Sequence, residues 1–258
     1  MRLMKRILSA AAVLALSASL LVGCSSGTAS SVPVSASSAA ESTVSSVEET
    51  ASSAVDENEA AAAQLLNDLT GSYQELWPVI LADEYKQTWL DDCTALVGED
   101  NAEAAFEKLS SMVTGDVYGE DAVKAYANGG GAYFCGFTNS LATLTFDGET
   151  STISGTDKDG NVLFSHTYHY IGMEPVHGLY EFESDDADSG EFTYFFVAPD
   201  TSAETYHIEF RYGSDAEALS QYDTGEYAYW LASGISTDCD QTMIDNCIEL
   251  FCTENLAG

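Results

Sequence analysis

Beyond Tyr133 the chain breaks into short runs of alternating polarity punctuated by tight-turn signals, and this pattern constrains the fold more than any other. In the first run Leu141, Thr143 and Thr145 alternate with Ala142, Leu144 and Phe146. Asp147-Gly148 and Asp159-Gly160 each stand between two such runs, and Asp-Gly is the strongest short hairpin signal because both residues tolerate the left-handed backbone of a tight turn. Further strands are expected over Val162 to Tyr170, Gly178 to Glu183, Phe192 to Ala198 and Tyr206 to Tyr212, with Asp185 to Gly190 as a turn. Short, consecutive antiparallel strands of this kind build an up-and-down barrel or a sandwich. A small barrel can hold one small ligand at its mouth.

Helical signals flank the strands. Residues Glu57 to Met112 read as mostly helical, with an Ala-rich stretch from Ala60 to Leu66 that Thr70 and Gly71 interrupt. Tyr73, Leu76, Trp77, Ile80 and Leu81 follow at helical spacing, with Pro78 tolerated only near a first turn. Further helical stretches run through Tyr85, Trp89 and Leu90, and over Ala102 to Met112. A closing helix is expected over roughly Thr237 to Glu254. The run Asn128 to Gly131 has three consecutive glycines but neither the preceding strand nor the following helix of a phosphate cradle, and reads as a loop. The fold class is therefore α+β, mainly antiparallel β.

The first 60 residues carry an address. Arg2, Lys5 and Arg6 precede an apolar run from Ile7 to Val22, which ends in Leu21-Val22-Gly23-Cys24, the layout of a secretory signal peptide. The run has 16 residues including three Ser, short of the roughly 20 needed to span a bilayer. Its Leu-x-Gly-Cys ending resembles the bacterial lipobox, which implies lipidation of the Cys24 thiol and retention on the outer side of a bacterial membrane. Two acyl chains suffice for stable anchoring where one would be marginal. Residues 25 to 56 contain 12 Ser and no aromatic residue. Such a stretch buries too little apolar surface to offset its ordering entropy, so a flexible tether spanning about 30 Å is expected. The expected organisation is signal peptide 1–23, lipidated Cys24 and linker to residue 60, and one domain over 61–258.

Composition limits the partners. Removing the signal peptide leaves five Lys and Arg against 42 Asp and Glu, a formal charge of −37. Binding of nucleic acid or of an anionic membrane by the domain surface is disfavoured, since each needs a basic footprint. Solubility and colloidal repulsion are the plainer explanation of such acidity; a surface that attracts cations is the sharper one. Five cysteines remain after Cys24: Cys93, Cys135, Cys239, Cys247 and Cys252. An odd number leaves at least one thiol free or pairing between molecules. On one helix Cys247 and Cys252 would be about 7.5 Å apart in rise alone, and a disulfide wants α-carbons under about 7 Å. Any bridge must then join the closing helix to Cys93 or Cys135, or join those two, while buried, inert thiols are the plainer reading.

Several segments together resemble the ZinT family. Leu69 to Pro78 (LTGSYQELWP) looks like that family's opening, a Gly followed by an aromatic-Gln-x-x-aromatic-Pro run. The similarity returns over Gly178 to Gly190 (GLYEFESDDADSG), Phe192 to Phe196 (FTYFF) and Tyr206 to Asp215 (YHIEFRYGSD), and after Tyr227-Ala-Tyr-Trp. It implies a lipocalin-like (calycin) barrel with flanking N-terminal and C-terminal helices that binds zinc or cadmium outside the cytoplasm. Zinc acquisition, with a metal ABC transporter as partner, is the role implied.

The family's metal site rests on three His, one after the strand matching Phe192 to Ala198 and a His-x-His pair on the next. The second member of the pair corresponds to His207, the first to Thr205, and the earlier one falls near Asp200. The candidate ligands are therefore His207, Asp200 and Glu204, for zinc or another divalent ion. Zinc accepts imidazole nitrogen and carboxylate oxygen, while more carboxylate shifts preference toward harder ions. On a regular strand His207, Glu209 and Arg211 share one face, so His207 pairing simply with a neighbouring carboxylate is the alternative. His166 and His169, three apart on a strand, point to opposite faces and cannot both bind one ion. His177, in a loop beside Pro175, has the reach to replace a lost imidazole. No Ser, Cys or carboxylate stands in a recognisable catalytic arrangement, so an enzyme is not expected. The rival to metal capture is a barrel that has lost its metal site and holds a small organic molecule; a pocketless adhesion or spacer protein is a third class.

Overall fold

The computed structural model describes residues 57–199 and 207–257. Cys24, the signal peptide, the linker to residue 56, Asp200 and Glu204 lie outside the described residues. A helix over 57–68 (α1) leads into strand β1, Gly71–Glu75, and then α2, Leu76–Ile80. After a 3-10 turn come α3 (Lys86–Val97), α4 (Glu99–Val113) and α5 (Glu120–Ala127). Strands β2 (Thr143–Asp147), β3 (Thr152–Thr156), β4 (Val162–Met173), β5 (Tyr180–Ser184), β6 (Tyr194–Val197) and β7 (His207–Gly213) follow. A short α6 (Ala216–Leu219), strand β8 (Ala232–Ser236) and α7 (Gln241–Leu256) complete the order.

The eight strands pair antiparallel in sequence order, and β8 closes on β1 through Tyr73↔Ser236 and Glu75↔Gly234. This is the expected class: a closed antiparallel barrel with flanking helices. Both Asp-Gly pairs lie in hairpin connections, though each loop is longer than two residues. At the β3–β4 turn Gly160 takes φ +80°, while Asp157 Oδ1 accepts from the amides of Asp159 and Asn161. Gly148 is needed for space instead, because a Cβ there would come within 2.4 Å of Asn67 Cα at the end of α1.

Two strands escaped the sequence pattern. Tyr73 is not helical: it lies on β1, buried against Phe146 with ring centroids 5.8 Å apart, and the helix begins only at Leu76. Spacing alone could not separate the cases, because Tyr73 and Leu76 are three apart but belong to different elements. Pro78 does fall in the short helix's first turn, where its missing N–H costs little. Strand β8, Ala-Ser-Gly-Ile-Ser, lacks the aromatic and β-branched run that marks the others. Small residues suit it because it is covered on both sides; a Cβ at Gly234 would stand 3.0 Å from Ile208 Cγ1. The closing helix starts at Gln241 rather than Thr237, with Asp240 Oδ1 accepting from Met243 N at 3.0 Å as its N-cap, so Cys239 precedes the helix.

The described residues pack into two cores. The barrel interior is filled by rings from successive strands, including Phe164, Tyr168, Phe182, Phe195, Phe210 and Tyr212. Phe195 stands 5.4 Å from Tyr168 and 5.3 Å from Tyr212, centroid to centroid. Eight strands leave an interior just wide enough for side chains, and here the rings occupy it. Ala62, Leu65 and Leu66 of α1, with Leu69 just after it, join this core. The second core lies outside β8, where Ile235 meets Trp77, Ile80, Trp89, Leu109, Ile248 and Phe251 from four helices. Trp89 anchors that layer, donating its indole N–H to Ile80 O at 2.7 Å.

Candidate functional site

Strand β7 turns its polar residues away from the barrel interior, as its alternation demands. Ile208, Phe210 and Tyr212 point into the interior core. His207 stands opposite Ile235 and Glu209 opposite Ser233 on β8, which places both on the outer face. Burial pushes the partly buried His207 ring down to about pKa 4, so at neutral pH it carries no charge, as a metal ligand requires. It is the first described residue after the gap that contains Asp200 and Glu204. Among the described residues no three His, Cys, Asp or Glu side chains converge where they could hold a metal ion.

The remaining polar residues of this face are buried. Glu209 is buried; beside it the Cys135 thiol is pushed up, first by its own burial and then by the Glu209 charge. Arg211, the only arginine after the signal peptide, is fully buried. Its guanidinium donates to the carbonyls of Leu219, Gln221 and Tyr227 and lies 4.1 Å from the centre of the Tyr222 ring. One cation thereby fixes the path of the β7–β8 connection, with a cation–π contact added in a dry setting.

On its other side Tyr222 packs against His177, centroid to centroid 3.7 Å. His177 Nδ1 sits 3.1 Å from Glu174 Oε2, and Glu174 is fully buried. Burial alone would push the Glu174 carboxyl up, but hydrogen bonds from the His177 ring and from the Val176 and His177 amides hold it below its ordinary value. The chain Glu174–His177–Tyr222–Arg211 therefore staples the β4–β5 turn to the β7–β8 connection. His177 is not brought into any three-ligand cluster of the described residues. The one sequence signal for this staple was the isolation of Arg211 in an acidic chain.

The other two histidines behave as their spacing required. His166 Nδ1 lies 2.8 Å from Asp186 Oδ2, and His169 Nδ1 lies 2.7 Å from Asp185 Oδ1. Three residues apart on β4, they engage different carboxylates.

Away from β7, a recess of about 320 Å³ opens between β1, α2, α4 and residues 134–136. Glu75, Trp77, Leu81, Val113, Phe134 and Cys135 are among its walls. The buried indole N–H of Trp77 is directed at the Cys135 sulfur, while Glu75 Oε1 accepts from Phe137 N at 2.6 Å.

No family model and no curated protein matches this chain. Solved structures similar to it at low identity include the following two. The Zn(II)-bound ZinT-like domain of Streptococcus pneumoniae AdcA is 16% identical over 71% of this chain and 89% of that one, with a TM-score of 0.45. Zn(II)-bound AdcA from the same organism is 14% identical over 72% of this chain, with a TM-score of 0.43, and the match spans only 35% of that longer protein.

Proposed function

We propose that this chain is a lipid-anchored, extracytoplasmic binding protein that captures a divalent metal ion, zinc foremost, for acquisition or buffering. His207 is its imidazole ligand, and Asp200 and Glu204 supply carboxylate oxygens. The observation that carries the reading is the position of His207. It is the first residue of β7, on the outer face, directly after the segment that holds both carboxylates. One imidazole with carboxylate and water is a shell zinc accepts. Cys24 gives the anchor, the acidic domain surface draws cations, and an ABC transporter is the partner such a carrier would serve. The role is binding, with no catalytic step.

Calorimetry tests this. Zinc should bind the chain near one to one, and His207→Ala should weaken it at least roughly tenfold, since a direct ligand should matter no less than an outer-shell partner. Absence of heat with zinc, manganese and calcium alike would sink the proposal.

A second reading is favoured by the recess beside Trp77. Its apolar walls and the Glu75 carboxylate fit a small organic molecule carrying a donor. In this reading the outer recess holds the molecule. Native mass spectrometry of the purified protein tests it: a co-purifying small molecule that Trp77→Phe releases would favour this reading.

A further inference from the structure

The helical layer contains a second chemistry that the metal reading does not use. Trp89 and Cys93 lie four apart on the buried face of α3, and Ile248 and Cys252 lie four apart on the buried face of α7. Where these faces meet, the two sulfurs stand 3.9 Å apart, and both cysteines are fully buried. Phe251, one residue before Cys252, packs against Trp89 at 6.0 Å and Trp77 at 4.7 Å. The contact is thus held inside a rigid aromatic seam. A disulfide needs sulfurs about 2.0 Å apart, so about 1.9 Å must close. Cys247, on the same helix, faces elsewhere within the layer, and Cys135 lies across it beside Glu209 and the recess.

We infer that Cys93 and Cys252 form a disulfide that clamps α3 to α7 and fixes the helical layer on the barrel. The bond joins positions 159 apart in sequence, the long-loop case in which a cross-link most restricts the unfolded chain. Its formation removes two protons and two electrons from the two thiols. A small-molecule disulfide, or an oxidase disulfide of the export compartment, takes them up and becomes two thiols. One cysteine thiolate attacks the oxidant and expels its first thiol; the second cysteine then attacks the mixed disulfide and expels the other. Burial pushes both thiols up, Cys93 and Cys252 alike, so exchange in the folded protein is slow. The bond forms as the chain folds, and once formed it is shielded from reductant.

The test supplies its own oxidant and so does not depend on export. The full chain is unfolded and refolded in oxidised glutathione, quenched with acid, alkylated in denaturant, digested and mapped by mass spectrometry. A cross-linked peptide pair containing Cys93 and Cys252 is expected, with both residues missing from the alkylated set. Reduction should lower Tm by about 5–15 °C in the wild type and leave the double variant Cys93→Ala/Cys252→Ala unshifted. Full alkylation of Cys93 and Cys252 after oxidative refolding would overturn the inference. A bridge joining Cys239 to Cys247, or any other pair, in place of this one would overturn it as well. Neither result bears on metal binding by His207.

Discussion

Burial of an uncharged His207 makes the fold less stable in acid. The ring titrates at about 4 in the folded chain, against 6.5 for an unperturbed histidine. A depressed pKa stabilises the fold above the unfolded value, and the contribution is lost as pH falls toward the folded one. At pH 7.5 neither state holds the proton. At pH 5 the unfolded imidazole is almost wholly protonated while the folded one is still mostly neutral. The difference corresponds to about 1.5 pKa units, or about 2 kcal/mol of stability lost over that interval. His207→Gln removes the titration but keeps a neutral polar side chain. Urea unfolding of both proteins, with chelator present to exclude metal, should therefore show wild type losing about 2 kcal/mol more than the variant between pH 7.5 and 5. Comparing the two cancels the other three histidines and the many carboxylates. Parallel stability curves over this range would refute the burial argument.

Three further substitutions probe the architecture. Gly148→Ala keeps an ordinary backbone angle but sets a Cβ 2.4 Å from Asn67 Cα, so α1 must shift. A loss of about 1–3 kcal/mol in urea unfolding is expected, and a neutral result would show that α1 is not docked there. Arg211→Met leaves the Leu219, Gln221 and Tyr227 carbonyls without their shared donor. It should cost about 3–5 kcal/mol and expose the β7–β8 connection to proteolysis, and unchanged protection would contradict the staple. Asp240→Ala removes the N-cap of α7, for which about 1 kcal/mol is expected in thermal unfolding.

Much of the fold was legible in the sequence because the barrel interior is aromatic and alternates at period two. The runs through Phe146, Phe164, Phe182, Phe195 and Phe210 announce their strands residue by residue. Strands β1 and β8 were hidden for opposite reasons. Tyr73 happens to sit at helical spacing from the apolar residues of α2, and Ala232–Ser236 carries small side chains chosen by crowding from neighbours distant in sequence. At the site, the shared face of His207, Glu209 and Arg211 follows from strand geometry alone. The commitments of Arg211 and His177 do not, since they depend on where the β7–β8 connection and the β4–β5 turn meet. Cysteine arithmetic narrowed the bridging options, and packing of α3 on α7 selects one of them.

Metal ligation by His207 is most directly read from anomalous diffraction at the zinc edge, on crystals of this protein grown with zinc. The account predicts a peak about 2.0–2.1 Å from an imidazole nitrogen of His207, with carboxylate oxygens of Asp200 and Glu204 within about 2.2 Å of it. Zinc bound elsewhere, with the His207 ring outside coordination distance, would contradict it.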